Sequence, residues 1–193
     1  MEQSVPWDVE CNLDARGSLP RSGPTLFLRT TPRNMSTDPT STILLRTVER
    51  GDLPRLYELQ LDARSNQMAG TKAWDADAFQ KIWDGILADP TVTARAIIAS
   101  GTLVGTISCF KRAGVDEVGY WIDRAWWGRG VASAALALLI REVTARPLHA
   151  TARADNAGSI RVLERCGFRQ VSSSIGEETP RYTAGALVHF VLD

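Results

Sequence analysis

Along the chain, apolar residues fall into runs whose period changes between strand-like and helical, and the changes mark out the elements. Residues 43–48 (ILLRTV) read as a strand. Asp52 then reads as the cap of a helix with Pro54 in its first turn and Leu56 and Leu59 on its inner face, with Leu53 and Gln60 beside them. A second helix is predicted from Asp75, an N-cap, through Phe79, Ile82, Trp83, Ile86 and Leu87, ended by Asp89-Pro90. Between the two helices, residues 66–74 read as a loop. Three strands follow at 93–99, 103–111 and 115–122, joined at Ser100-Gly101 and Ala113-Gly114, so they form an antiparallel meander on hairpin turns.

A helix is expected over 130–143, then Pro147 and a strand over 149–153 parallel to the strand before the helix. A short helix over 157–166 stops at Gly167, and strands at 168–172 and 186–192 complete the pattern. The predicted fold is α/β, a mixed and mostly antiparallel sheet with helices on both faces. Residues 1–40, rich in Pro, Ser, Thr and Arg, show neither period and read as a disordered extension ahead of a single domain over 41–193. Met35 resembles an ordinary start, so this extension is either upstream sequence set by start-codon choice or a genuine flexible tail.

Composition narrows the function classes. Lys and Arg number 22 against 22 Asp and Glu, which leaves no net field to draw the chain to nucleic acid or to an acidic membrane. The 3 cysteines lie far apart without a CxxC or a Cys/His cluster, which argues against a disulfide framework and against a metal site. The longest apolar run, 131–140, is too short to span a bilayer, so a cytoplasmic protein is expected.

The candidate chemistry starts at Trp127-Gly128-Arg129-Gly130-Val131-Ala132, where a strand runs into a helix. Two glycines at a helix N-terminus let a ligand approach unpaired backbone N–H groups, and Arg129 adds a mobile positive charge; phosphate is the natural occupant. The same residues also suit a plain turn. GRGVAS further approaches the G-x-G-x-x-G of dinucleotide folds, with Asp155 near the place of a ribose-binding carboxylate. Ser133 in the third glycine position, the late place in the chain and the preceding meander count against that reading.

EVGYWIDRAWWGRGVASAAL (117–136), joined at the usual spacing to DNAGSIRVLERCGF (155–168), resembles the GNAT superfamily of acetyl-CoA-dependent N-acetyltransferases, nearest to the ribosomal-protein N-terminal acetyltransferase branch. The likeness runs over about 43–192. Gly128 and Gly130 match the superfamily's cradle, while Ala125 departs from its first position. The resemblance implies a central pair of splayed parallel strands, 115–122 and 149–153, with the pantetheine arm of acetyl-CoA between them. It implies a backbone N–H near Trp121 or Ile122 that polarises the thioester carbonyl. Asn156 resembles the asparagine that binds the pantetheine arm, although an Asp-Asn helix cap accounts for it equally.

For the transfer itself, Glu117 stands where related enzymes have a base acting through water, or else is a solvent-facing strand carboxylate. The tyrosine that many members use as an acid is replaced by Leu163. Ser159, three residues after Asn156, matches the acid proposed in the nearest branch, or else satisfies the helix's first turn. Cys166, His149 and His189 read as structural, and Trp74 and Trp83 as helix-side packing. The expected acceptor is a primary amine on a protein N-terminus or a small molecule, with no metal and with a homodimer as the family-level expectation. Two other readings stay open: a catalytically silent acetyl-CoA sensor or interaction domain, and a dinucleotide-binding oxidoreductase.

Overall fold

The computed structural model describes residues 42–193, so the expected extension over 1–40 lies outside the described residues. Strands β1 (Ile43–Thr47), β2 (Thr93–Ala99), β3 (Thr102–Arg112), β4 (Val115–Ile122), β5 (Leu148–Arg153), β6 (Arg169–Gly176) and β7 (Gly185–Leu192) make one sheet in the order β1-β2-β3-β4-β5-β7-β6. Every neighbouring pair is antiparallel except β4 and β5. The helices are α1 (Leu53–Gln60), α2 (Ala63–Ala69), α3 (Ala76–Ala88), α4 (Val131–Glu142) and α5 (Ala157–Arg165).

Alternation along the strands sends side chains to two cores. Ile107, Val118 and Ile122 pack with Leu136 and Leu139 of α4, Leu163 of α5 and Phe190 of β7. On the opposite face Ala94 and Ala96 pack with Leu56 and Leu59 of α1 and Phe79, Trp83 and Ile86 of α3. The meander's two hairpins turn at Ser100-Gly101 (φ 48° and 77°) and Ala113-Gly114 (φ 46° and 81°), the two positive-φ residues that a tight right-twisted hairpin needs. Asp75 caps α3 as expected, accepting from the Ala78 N–H at 2.8 Å.

Two expectations are corrected. Asp52 precedes α1 but does not cap it; its carboxylate takes two 2.7 Å bonds from Arg46 and one of 2.8 Å from the Glu49 N–H, because the 3-10 turn at Arg50–Asp52 points it back to β1. The segment predicted as a loop over 66–74 begins inside α2. Asp62 caps that helix through the Ser65 N–H at 2.8 Å, and Gly70 closes it in the left-handed conformation. No helix among the described residues is long and apolar enough to cross a membrane.

Candidate active site

Among the described residues, the sheet opens at the parallel pair β4 and β5. Pairing holds at Asp116↔Leu148 and Glu117↔His149 and goes no further, although β4 continues to Ile122 and β5 to Arg153. On its other side β4 pairs with β3 along its length, and the Asp123 N–H donates to Val104 O at 2.7 Å. In an antiparallel ladder residues bonded to the partner strand alternate, so Asp123, Trp121 and Gly119 turn their backbone groups to β3. Tyr120 and Ile122 therefore turn theirs toward the gap. Of the two backbone donors expected near the thioester, Ile122 is the one this parity favours; Trp121 is engaged with β3, and its indole donates to Leu59 O at 3.1 Å.

A cavity of about 150 Å³ occupies the gap, lined among others by Glu117, Tyr120, Trp121, Asn156, Ser159 and Arg181. Glu117 is 6% exposed, so the solvent-facing alternative is excluded. Its carboxylate forms a 3.0 Å ion pair with Arg112, two positions along the neighbouring strand from its cross-strand partner Phe110. Asn156 does cap α5, its Oδ1 accepting from the Ser159 N–H at 3.0 Å, and it also lines the cavity, so its two roles coexist. Ser159 sits in the first turn of α5, and its carbonyl accepts a 3.4 Å bond from the Tyr120 hydroxyl. Burial pushes the Tyr120 phenol up to about 12, keeping it protonated at neutral pH.

The glycine turn lies beyond the cavity, at the end of β4. Gly128 and Gly130 have φ of 74° and 77°, and a side chain at either would meet nothing within 4 Å. The main chain is thus bare and approachable where α4 begins. Gly130 offers no side-chain cap, and the first intrahelical bond is Ala134 N to Gly130 O at 3.0 Å, which leaves the N–H groups of Val131, Ala132 and Ser133 facing the turn without a helical partner. Trp127 is 40% exposed and braces the turn by donating from its indole to Ile122 O at 3.0 Å. Arg129 lies over the Trp126 ring, 5.1 Å from its centroid. Along the chain, the cavity-lining residues 117–121 of β4 lead into the glycine turn and the unpaired N–H groups at the start of α4. The Asp155 carboxylate pairs with Arg153 at 3.2 Å, and the meander leaves no doubly wound sheet, so the dinucleotide reading loses its support.

Three residues of the site went unremarked in the sequence. Tyr120 is flanked by the residues that drew attention to the motif. Arg112 is recoverable, since the Ala113-Gly114 hairpin puts it diagonal to Glu117. Arg181 lies in a loop and has no local signal. Cys166 donates to Ser133 O at 3.5 Å, and burial pushes its thiol up, as suits a packed residue. His189 lies between Thr151 Oγ1 at 3.3 Å and Ser174 Oγ at 2.8 Å. Trp83 is core and Trp74 borders a second cavity. Among the described residues no group of three or more His, Cys, Asp or Glu is placed to hold a metal ion.

Solved structures share this fold. RimL, a ribosomal-protein α-N-acetyltransferase in complex with coenzyme A, superposes with a TM-score of 0.65 at 19% identity, covering 78% of this chain and 93% of that one. Mycobacterium smegmatis RimJ, with a CoA disulfide, gives 0.63 at 22% identity, covering 79% and 83%. Spermidine N-acetyltransferase from Vibrio cholerae, with CoA and spermine, gives 0.63 at 15% identity, covering 77% and 95%. No curated protein sequence matches significantly. The model of the acetyltransferase (GNAT) domain matches residues 42–169, two-thirds of the chain and all of the strands and helices that build the site up to the start of β6, and the chain belongs to the GNAT acetyltransferase family.

Proposed function

We propose that this acetyltransferase moves the acetyl group of acetyl-CoA to a primary amine by direct attack in a ternary complex. The observation that carries the proposal is the opening between β4 and β5, flanked on one side by buried Glu117 and on the other by Ser159 and Asn156, and leading to the bare N-terminus of α4. Acetyl-CoA supplies the activated acyl group. The N–H groups of Val131 and Ala132, with Arg129, hold its pyrophosphate, and the Asn156 side chain holds the pantetheine arm. The Ile122 N–H steadies the carbonyl oxygen as negative charge grows there.

An amine attacks only when neutral, and an α-amino group of pKa about 8 is roughly one-tenth neutral at pH 7. Glu117, through water, takes the proton that the amine loses as its nitrogen bonds to the acyl carbon. The carbon–sulfur bond breaks, and Ser159, three residues after Asn156, gives the departing sulfur a proton. Glu117's ion pair with Arg112 favours a second reading, a domain that binds acetyl-CoA without turnover, because part of the carboxylate's accepting capacity is already engaged.

Calorimetric titration with acetyl-CoA, CoA and NADH tests the first half of the proposal. Both CoA species should bind at micromolar concentration and NADH should not. In Gly130→Glu, which puts a carboxylate and a strained φ into the cradle, CoA binding should be lost. Wild-type protein that ignores CoA sinks the proposal. An amine panel then separates enzyme from silent binder; it spans a ribosomal-protein N-terminal peptide and spermidine, following the acceptor classes named for the structural neighbours.

A further inference from the structure

Arg181 is 8% exposed and lines both the cavity between β4 and β5 and the smaller one bordered by Trp74, Trp83 and Thr106. It is held there by a strap in which the segment after α2 meets the segment before β7: Lys72 N donates to Arg181 O at 2.7 Å, Thr183 N to Gly70 O at 2.8 Å, and Thr71 bridges Tyr182. Gln60 fixes the facing wall, its side-chain amide bonding both the N–H and the carbonyl of Trp74 at 2.8 Å.

The guanidinium's partners are all neutral. Nη1 donates to Lys72 O, Tyr182 is a hydrogen-bonding neighbour, and the Trp74 ring lies 5.2 Å away. Nε is buried without any partner, and no carboxylate among the described residues lies within ion-pair distance. The other charges nearby are accounted for: Arg112 pairs with Glu117, Arg153 with Asp155, and Lys72 with Glu178, while Glu177 on the rim is exposed and makes no ion pair with Arg181. A buried cation is costly unless an anion meets it, and burial lowers this arginine's pKa accordingly.

We infer that Arg181 is the anion-recognition residue of the acceptor site: the ligand brings the missing carboxylate, so the acceptor is an amine that carries one within a few bonds. An arginine fork suits a carboxylate and places it bidentately. The carboxylate comes either from a free amino acid or from an acidic side chain next to a peptide's N-terminus. This inference rests on the acetyltransferase reading above and specifies its substrate class.

The test is acetyl transfer from acetyl-CoA to a matched set: free amino acids, their carboxamides, the corresponding amines without any carboxyl carbon, and C-terminally amidated dipeptides with Glu or Gln second. Wild-type kcat/KM should favour the carboxylate-bearing members by about tenfold or more, as expected for a charge-assisted pair. Free amino acids leading identifies one source, and the Glu-over-Gln dipeptide preference identifies the other. Arg181→Gln should erase the ratio while acetyl-CoA affinity is kept, and Arg181→Lys should restore part of it. An arginine that merely props the strap would lower activity on all members alike and leave the ratio unchanged. Equal use of carboxamides, or a preference that survives Arg181→Gln, overturns the inference and leaves the transferase standing. Wild-type protein that binds no acetyl-CoA, or binds it and acetylates nothing in either set, overturns the transferase and this inference together. Equal use of carboxamides by the wild type overturns the inference even where Arg181→Gln fails to fold, and Arg181→Lys, with a reduced ratio expected and an unchanged one overturning it, then tests the residue.

Discussion

At Glu117 a buried carboxylate meets one guanidinium at 3.0 Å and a cavity on its other side. The pairing holds the side chain in one place, as a base acting through water requires. Glu117→Gln should lower kcat about a hundredfold and leave the KM for acetyl-CoA unchanged, in the range usual for a lost general base. The residual rate should climb with pH as solvent deprotonates the amine. Arg112 then loses its anion in a site only 14% exposed, so the variant's melting temperature should fall too. Steady-state kinetics and calorimetry read these two effects apart, and a kcat that stays within a few-fold of wild type removes Glu117 from the mechanism.

Among the elements, β3 shows how closely the frame is fitted around the gap. A Cβ on Gly105 would stand 2.0 Å from the Trp121 carbonyl, so β3 approaches β4 at a distance only glycine allows. Gly105→Ala must push the two strands apart and should cost about 1–3 kcal/mol, read from the urea midpoint. Because Trp121 and Ile122 move with β4, acetyl-CoA affinity should fall as well; unchanged stability and affinity would show that the close approach is not required. Helix α3 offers a comparison, because Asp75→Ala removes its exposed cap bond to the Ala78 N–H, and neither residue lines the gap. That change should cost about 1 kcal/mol with acetyl-CoA affinity intact.

The elements were legible in the sequence where period and punctuation agreed. The meander, α3, α4 and α5 follow from alternation, from hairpin dipeptides and from Asp75 and Gly167. Helix α2 was not legible, because seven mostly polar residues carry no apolar stripe, and only Asp62 and Gly70 mark its ends. Asp52 misled for the opposite reason: it has the right residue type at the right place, but a 3-10 turn hands it to Arg46 instead.

For the whole molecule, Asp52 and His189 are two of the described groups that tie stability to pH. The bonds from Arg46 hold the Asp52 carboxyl below its usual value. The unfolded chain therefore takes up that proton first, and the stability Asp52 contributes is present above about pH 4 and lost as pH falls through the lower folded value. Burial, helped by the Arg112 charge, pushes the His189 imidazole down. Unfolding again favours proton uptake, so stability falls as pH drops below about 6.5 toward the folded value. Melting temperatures between pH 7 and 5 should decline in the wild type and decline less in His189→Gln. Identical slopes would mean that His189 is as free to protonate folded as unfolded.

By itself the sequence determined the order along the chain of the strands and of the helices other than α2, the turn at Gly128 and Gly130, and the position of Asn156 at the head of α5, because each depends on a few residues close together in the chain. Tertiary structure alone decided which backbone groups of β4 face the gap, that Glu117 is buried and shares its charge with Arg112, and that Arg181 stands in the cavity without an anion. Those properties depend on ladder parity and on partners up to 109 residues apart, as with Arg181 and the Lys72 carbonyl, and local period carries no record of such contacts.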